Sequence, residues 1–162
     1  MGKLSISDFS LVVKNTNLFA IDLIVFNKLN KILLGQRINL PAKDFWFVPG
    51  GRIYKNENLN EAFKRILNEE TGMSIKNINN VKLNGLYDHN YKDNFFDDPS
   101  FNTHYIVMAC EIHTNSNIVF KPDSQHETLR FFSVKELLND IRVHTFTKNY
   151  FINQPTNKFR PI

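Results

Sequence analysis

Between Trp46 and Met73 the chain reads WFVPGGRIYKNENLNEAFKRILNEETGM, with Glu57, Glu61, Glu69, Glu70, Arg52 and Arg65 set among apolar residues. Leu59, Ala62, Phe63, Ile66 and Leu67 follow the i, i+3, i+4, i+7, i+8 spacing of an amphipathic helix that Gly72 would close. At about 100° per residue, Glu70 points within about 20° of Leu59, onto the apolar face. Glu57, Glu61 and Arg65 point the other way. A carboxylate on the core side of a helix C-terminus, where the macrodipole opposes negative charge, needs a cation or strong donors. Two partners fit equally from geometry: an ion pair with Arg37 or Arg52, or a divalent metal ion.

Other residue types suit the same kind of chemistry. Arg37 and Arg52 carry planar guanidinium forks, which match phosphate oxygens better than an ammonium does, though both equally fit a solvated surface. Asp22 interrupts the apolar run LFAIDLIVF, where a carboxylate is either capped by donors or turned toward a ligand. His126, beside Gln125 in PDSQHE, titrates near neutrality and has the chemistry of a general base. Taken alone, a loop histidine is more often structural, and His89 and His104 keep that plain reading. Tyr105 in THYIV reads by itself as packing. Trp46 and Phe47 read as supports for the loop that follows them, with stacking on a nucleotide base a lesser role.

These groups need elements to hold them. LFAIDLIVFN and KILLGQR are β-rich runs around a polar turn at Lys28 to Lys31, the pattern of a hairpin. A shorter run, DFWFV, ends against Pro49-Gly50-Gly51, and the helix is expected from Leu59 to Glu70. Strand signals return in VKLNGLYDHN, HYIVMACEIH and TLRFFS, the first two separated by the polar loop YKDNFFDDPSFNT. Shorter helices are expected at Ile6 to Val13, Val134 to Asp140 and near His144 to Phe151. Strands and helices without a regular βαβ rhythm predict a mixed α/β fold of the α+β type with a mixed sheet. The expected organisation is one domain over 1–152, followed by a loose tail, NQPTNKFRPI, over 153–162.

Composition narrows the partners. The 162 residues fit one domain, and 42% apolar residues with 15 Phe supply a core rather than a disordered chain. A net charge of +4 suits a phosphorylated small molecule as well as a polynucleotide. There is no basic run or Arg-Gly-rich tail, so nucleic acid is not the expected partner. Cys110 is the single cysteine, so no internal disulfide forms and a reducing compartment is expected. No apolar run approaches a membrane span, and the expected location is cytoplasmic.

Gly51, Glu57, Arg65, Glu69, Glu70, Gly72 and Met73 fall on the spacing of the Nudix box, G-x5-E-x7-R-E-U-x-E-E-x-G-U, where U is a bulky apolar residue. The chain therefore resembles the Nudix hydrolases, which implies a mixed sheet sandwiched between helices. It also implies a strand, loop and helix that hold Mg²⁺ or Mn²⁺ against a substituted diphosphate. One position departs: Ile66 stands where the box has the glutamate after its arginine. In ordinary Nudix hydrolases that glutamate belongs to the metal cluster, so its loss leaves fewer carboxylates to activate water on phosphorus.

With that departure, the chain resembles one branch in particular, the GDP-mannose mannosyl hydrolases. SLVVKNT, IDLIVFN, LLGQR and WFVPGGR before the helix, and DHNYKDNF, FNTHYIV and PDSQHE after it, occur in that family's order. The resemblance implies hydrolysis of GDP-α-D-mannose to GDP and mannose by water attack on the anomeric carbon, with inversion. It assigns one Mg²⁺, replaceable by Mn²⁺, to Glu70, the Gly50 carbonyl and Gln125, and gives no metal role to Glu57 or Glu69. His126 becomes the base, Asp22 faces the sugar, and Arg37, Arg52 and Tyr105 lie at the leaving diphosphate. His89 lies in a segment resembling the family's mobile active-site loop and would assist in binding substrate. The implied partners are a nucleotide sugar and a second copy in a homodimer, with no nucleic acid or membrane. Two alternatives stay open: an ordinary Nudix pyrophosphohydrolase attacking phosphorus, and a non-catalytic nucleotide-sugar-binding module.

Overall fold

A computed structural model describes residues 4–77, 80–115, 126–153 and 155–161. Helix α1 (Ile6–Asn15) leads into β1 (Leu18–Phe26), β2 (Ile32–Arg37), β3 (Trp46–Phe47) and β4 (Gly50–Arg52). Helix α2 (Leu59–Thr71) follows, then β5 (Asn80–Tyr91), β6 (Thr103–His113), β7 (His126–Phe132), α3 (Val134–Asn139) and α4 (Thr145–Asn149). The seven strands form one mixed sheet in which β1 runs parallel to β6 and the other pairings are antiparallel.

The expected hairpin is present, but its strands part quickly. β1 meets β2 at Phe26 opposite Ile32, whereas the first half of β1 pairs with β4, placing Ala20, Ile21 and Asp22 opposite Arg52, Gly51 and Gly50. β2 pairs instead with β3 and along β7. The divergence opens the end of the sheet where the Gly-Gly segment lies. Sequence pattern missed β4, because two glycines in a three-residue strand leave no alternating apolar signal.

Strand alternation on β1 sends Ala20 and Ile24 into one apolar layer and Ile21, Leu23 and Val25 into the other. Leu137 of α3 and Tyr150, just after α4, join the first layer. Ala62, Ile66 and Leu67 of α2 join the second. The expected sandwich of a mixed sheet between helices is therefore present. Asn58 caps α2 reciprocally, accepting from Glu61 N while the Glu61 carboxylate accepts from Asn58 N. Gly72, at φ +67°, ends α2 in the left-handed conformation that glycine adopts without strain.

Three expectations need correction. Leu59 starts α2 but is 52% exposed, so the buried stripe begins at Ala62. Tyr91, expected to open the polar loop, ends β5, and Asp88 to Asn90 follow the strand signal of VKLNGLYDHN rather than the loop that the resemblance of DHNYKDNF implied. The final segment is not loose: Asp88 N donates to Asn157 O and Phe159 N to Leu86 O, both at 2.8 Å, so 155–159 is docked along β5. Tail composition gives no hint of this, because the hydrogen bonds are to backbone. Among the described residues no helix is long and apolar enough to cross a membrane.

Candidate active site

A cleft of about 490 Å³ opens where β1 and β2 diverge. Asp22, Arg37, Gly50 and Arg52 line it, together with Glu70, His89 and Tyr105. The structure thus brings to one opening residues drawn from β1, β2, β4, α2, β5 and β6.

Glu70 is 4% exposed, in the last turn of α2, at the cleft. Ile66, one turn earlier, is fully buried, and a Cβ on Gly51 would lie 3.2 Å from its Cγ1. The position that carries a glutamate in the common box is thus an apolar contact between helix and loop. Gly50 serves the other face: a Cβ there would collide with Asp22 Oδ1 and lie 2.8 Å from Ile21 O. The glycine pair lets β4 be gripped from both sides, by the Asp22 carboxylate and by α2.

Arg65 braces the loop between β4 and α2. It donates to Glu57 at 2.7 and 2.8 Å, to Glu69 at 2.8 Å and to Arg52 O at 2.8 Å. Glu57 also accepts from Tyr54 N, and its hydrogen bonds to Arg65 are the main force holding its carboxyl below the usual range. Glu57 and Arg65 thus explain part of the box as scaffold. Only a forked donor spans all three acceptors.

Asp22 lies against Gly50 at the cleft. Tyr150 donates to Asp22 Oδ2 at 2.5 Å, and His89 Nε2 lies 3.3 Å from the same phenol oxygen. The phenol's one proton is committed to Asp22, so His89 supplies the proton of the second contact. Burial, with a smaller contribution from the neighbouring His144, pushes the His89 imidazole down to about 3, so it is neutral at physiological pH. Phe146 stacks on its ring at 4.3 Å. Burial also pushes Asp22 up to about 6, against the opposing pull of the Tyr150 hydrogen bond and the Arg37 charge.

Two cations line the same cleft. The Arg37 guanidinium lies 5.4 Å from the Phe47 ring centroid, and that of Arg52 lies 3.9 Å from Phe9 of α1. Phe9 in turn packs against Phe95 and Phe96 of the β5–β6 loop, so α1 and that loop together hold Arg52 at the mouth. Burial raises the Tyr105 phenol while Arg52 and Arg37 pull it down. Phe47 is a support, as read from sequence. It stacks at 4.6 Å on His144 and carries Arg37 on the way to the cleft.

His126 begins β7 with its Cα opposite Arg37, and only its backbone is described. Gln125 lies outside the described residues. His104 pairs at 3.1 Å with Asp88 on the β5–β6 surface and is not among the cleft residues. Sequence reasoning missed Tyr150 and Tyr91, both buried beside Asp22, and the apolar rim of Leu4, Ile6 and Phe9. No signal marked Tyr150, an aromatic residue in an aromatic-rich chain, 128 positions from its partner.

Among the described residues no three His, Cys, Asp or Glu side chains group closely enough to hold a metal ion unaided. The oxygen donors at the cleft, Glu70 and the Gly50 backbone, suit a hard cation whose shell is completed by substrate oxygens.

Comparison with known proteins agrees with this architecture. Low-salt glycan biosynthesis protein Agl8 of Haloferax volcanii is 32% identical over 125 residues, covering 77% of this chain and 76% of that protein. An RNA pyrophosphohydrolase of Pelagibacter ubique is 40% identical over 62 residues, which is 38% of this chain and 37% of that one. The crystal structure of a MutT NUDIX hydrolase from Burkholderia pseudomallei superposes with a TM-score of 0.65 at 22% identity. It covers 84% of this chain and is itself covered to 96%, which establishes the shared fold. The NUDIX domain model matches residues 16–153, from the approach to β1 to just beyond α4, and the chain belongs to that family.

Proposed function

We propose that this Nudix protein hydrolyses a GDP-sugar, GDP-α-D-mannose in the first instance, to GDP and the free sugar. The observation that carries the reading is Ile66. It is fully buried beneath Gly51, so α2 offers no carboxylate where ordinary Nudix chemistry on phosphorus uses one. Asp22, meanwhile, lines the same cleft as the arginines, where an anion favours an oxocarbenium-like carbon. Glycan biosynthesis in the description of the Haloferax relative agrees with a sugar-bearing substrate.

Arg37 and Arg52 receive the diphosphate with forked donors and stabilise the charge that grows on its leaving oxygen. Glu70, the Gly50 carbonyl and Gln125 would hold a Mg²⁺ ion, which when bound neutralises the diphosphate as a leaving group. Water forms the new bond to the anomeric carbon and gives its proton to neutral His126. The bond from that carbon to the β-phosphate oxygen breaks, and its electron pair leaves with GDP. Tyr105 stands near the diphosphate, and His89 contributes from behind the sugar wall.

Hydrolysis of GDP-mannose in ¹⁸O-water tests the reading. The expected label lies in the sugar, with unlabelled GDP and the β anomer formed first. The match over 62 residues to an RNA pyrophosphohydrolase keeps one rival in view. Label in the nucleotide phosphate, with GMP and a sugar 1-phosphate as products, would replace our reading with that one. Absence of turnover would favour a binding module.

A further inference from the structure

We propose that Tyr150 is a positioning residue for Asp22, and that Asn157, in the segment beyond the family's matched region, clamps it there. The inference rests on the reading of Asp22 as the residue that faces the sugar. The Tyr150 hydroxyl donates to Asp22 Oδ2 at 2.5 Å, while His89 Nε2 supports the phenol oxygen from 3.3 Å. Tyr150 is 6% exposed and its ring meets Tyr87 edge-on at 4.8 Å, so it has little freedom to turn away.

Asn157 joins the two elements from which Tyr150 and His89 project. Its Oδ1 accepts from Asn149 Nδ2 at 2.7 Å, and its Nδ2 donates to Asp88 O at 3.0 Å. Its own backbone O accepts from Asp88 N at 2.8 Å. Asn149 is the immediate neighbour of Tyr150, and Asp88 of His89. One side chain therefore fixes the spacing between the end of α4 and β5 that the Asp22–Tyr150–His89 chain requires. Lys158 anchors the segment further along, with its stem lying over Gly85 and Nζ donating to Asn84 O at 2.7 Å. The family model ends at residue 153, so the clamp is contributed by sequence outside it.

A hydroxyl that fixes a carboxylate opposite the reacting carbon acts on the transition state more than on substrate binding. Tyr150→Phe in the full chain is expected to lower kcat about 10- to 100-fold, the range of a lost hydrogen bond to a charged group. KM for the GDP-sugar and inhibition by GDP alone, which lacks the sugar, should change less than threefold. Asn157→Ala should lower kcat several-fold in the same pattern, and Asn157→Gln should not rescue it because the longer arm misplaces both contacts. The deciding measurement is a double-mutant cycle. In an Asp22→Asn background, Tyr150→Phe and Asn157→Ala should have almost no further effect on the residual rate, and that result supports the proposal. Full additivity would overturn it, as would a loss of GDP binding equal to the loss of kcat, because both signify general structural damage. Asp22→Asn with normal turnover would overturn the role of Asp22 and this inference together. GMP as the nucleotide product would overturn the GDP-sugar reading separately.

Discussion

Asp22 is held between two demands. In the proposed reaction its carboxylate stays charged to face a developing cation, yet burial pushes it up to about 6, from an ordinary value of 3.8. A raised folded-state value means that the stability tied to this group is fully present below the unfolded value. It is lost as pH rises through about 6. At neutral pH the charged side chain therefore weakens the fold by roughly 2 kcal/mol, after allowance for its contact with solvent at the cleft. Asp22→Asn keeps an acceptor for Tyr150 and removes the charge. Urea unfolding in chelator should find this variant more stable than the parent by about 2 kcal/mol at pH 7.5 and equal to it near pH 4. A stability gap independent of pH would refute the electrostatic account. Asp22 was legible in the sequence because a carboxylate inside an apolar strand demands a reason. Tyr150 was not, because its hydrogen bond reaches a partner 128 positions away that no local pattern reveals.

At the scale of elements, α2 and β4 form the working unit, and much of it could be read in advance. The apolar period, the Gly72 stop and the inward turn of Glu70 are local properties of the chain. The unit's tertiary contacts were not legible, since the packing of Ile66 under Gly51 and the Arg65 brace to Arg52 O depend on where the loop returns. That packing makes Ile66→Glu a direct probe of how far the helix is committed to its present design. A carboxyl at this fully buried position has an apolar contact in place of donors, and its charging is opposed by burial. The variant should lose about 3 kcal/mol at pH 7.5 in chelator, and less near pH 5, where a raised carboxyl value allows it to remain neutral. Urea midpoints at the two pH values measure this. An undiminished midpoint would mean that the glutamate reaches the cleft without disturbing the core, and that Ile66 is a weaker argument against phosphorus chemistry than we have made it.

Across the whole molecule, the proposed chemistry and the stability of the fold rest on different places. Two apolar layers close on either face of the sheet, each reaching across from β1 to the helices that cover it. Among the described residues no cluster of three acidic, His or Cys side chains ties those layers together through an ion. A Mg²⁺ held by Glu70, a backbone carbonyl and one amide, with the remaining positions left to substrate, would bind weakly in the absence of diphosphate. An ion present at about its own dissociation constant stabilises the folded state by only about 0.4 kcal/mol. Removing it should therefore shift the melting temperature by no more than roughly 2–3 °C, while turnover of the GDP-sugar should fall to background because the leaving charge has lost its main stabiliser. The two readouts are separable in one preparation, by circular dichroism and by release of GDP with and without excess chelator. Restoration of turnover by Mg²⁺ or Mn²⁺, without refolding, is the expected sequel. Full activity in chelator would remove the ion from the reaction. A collapse of the fold in chelator would instead make the ion structural, and would shift the meaning of the buried Glu70 from substrate chemistry to the architecture of the cleft.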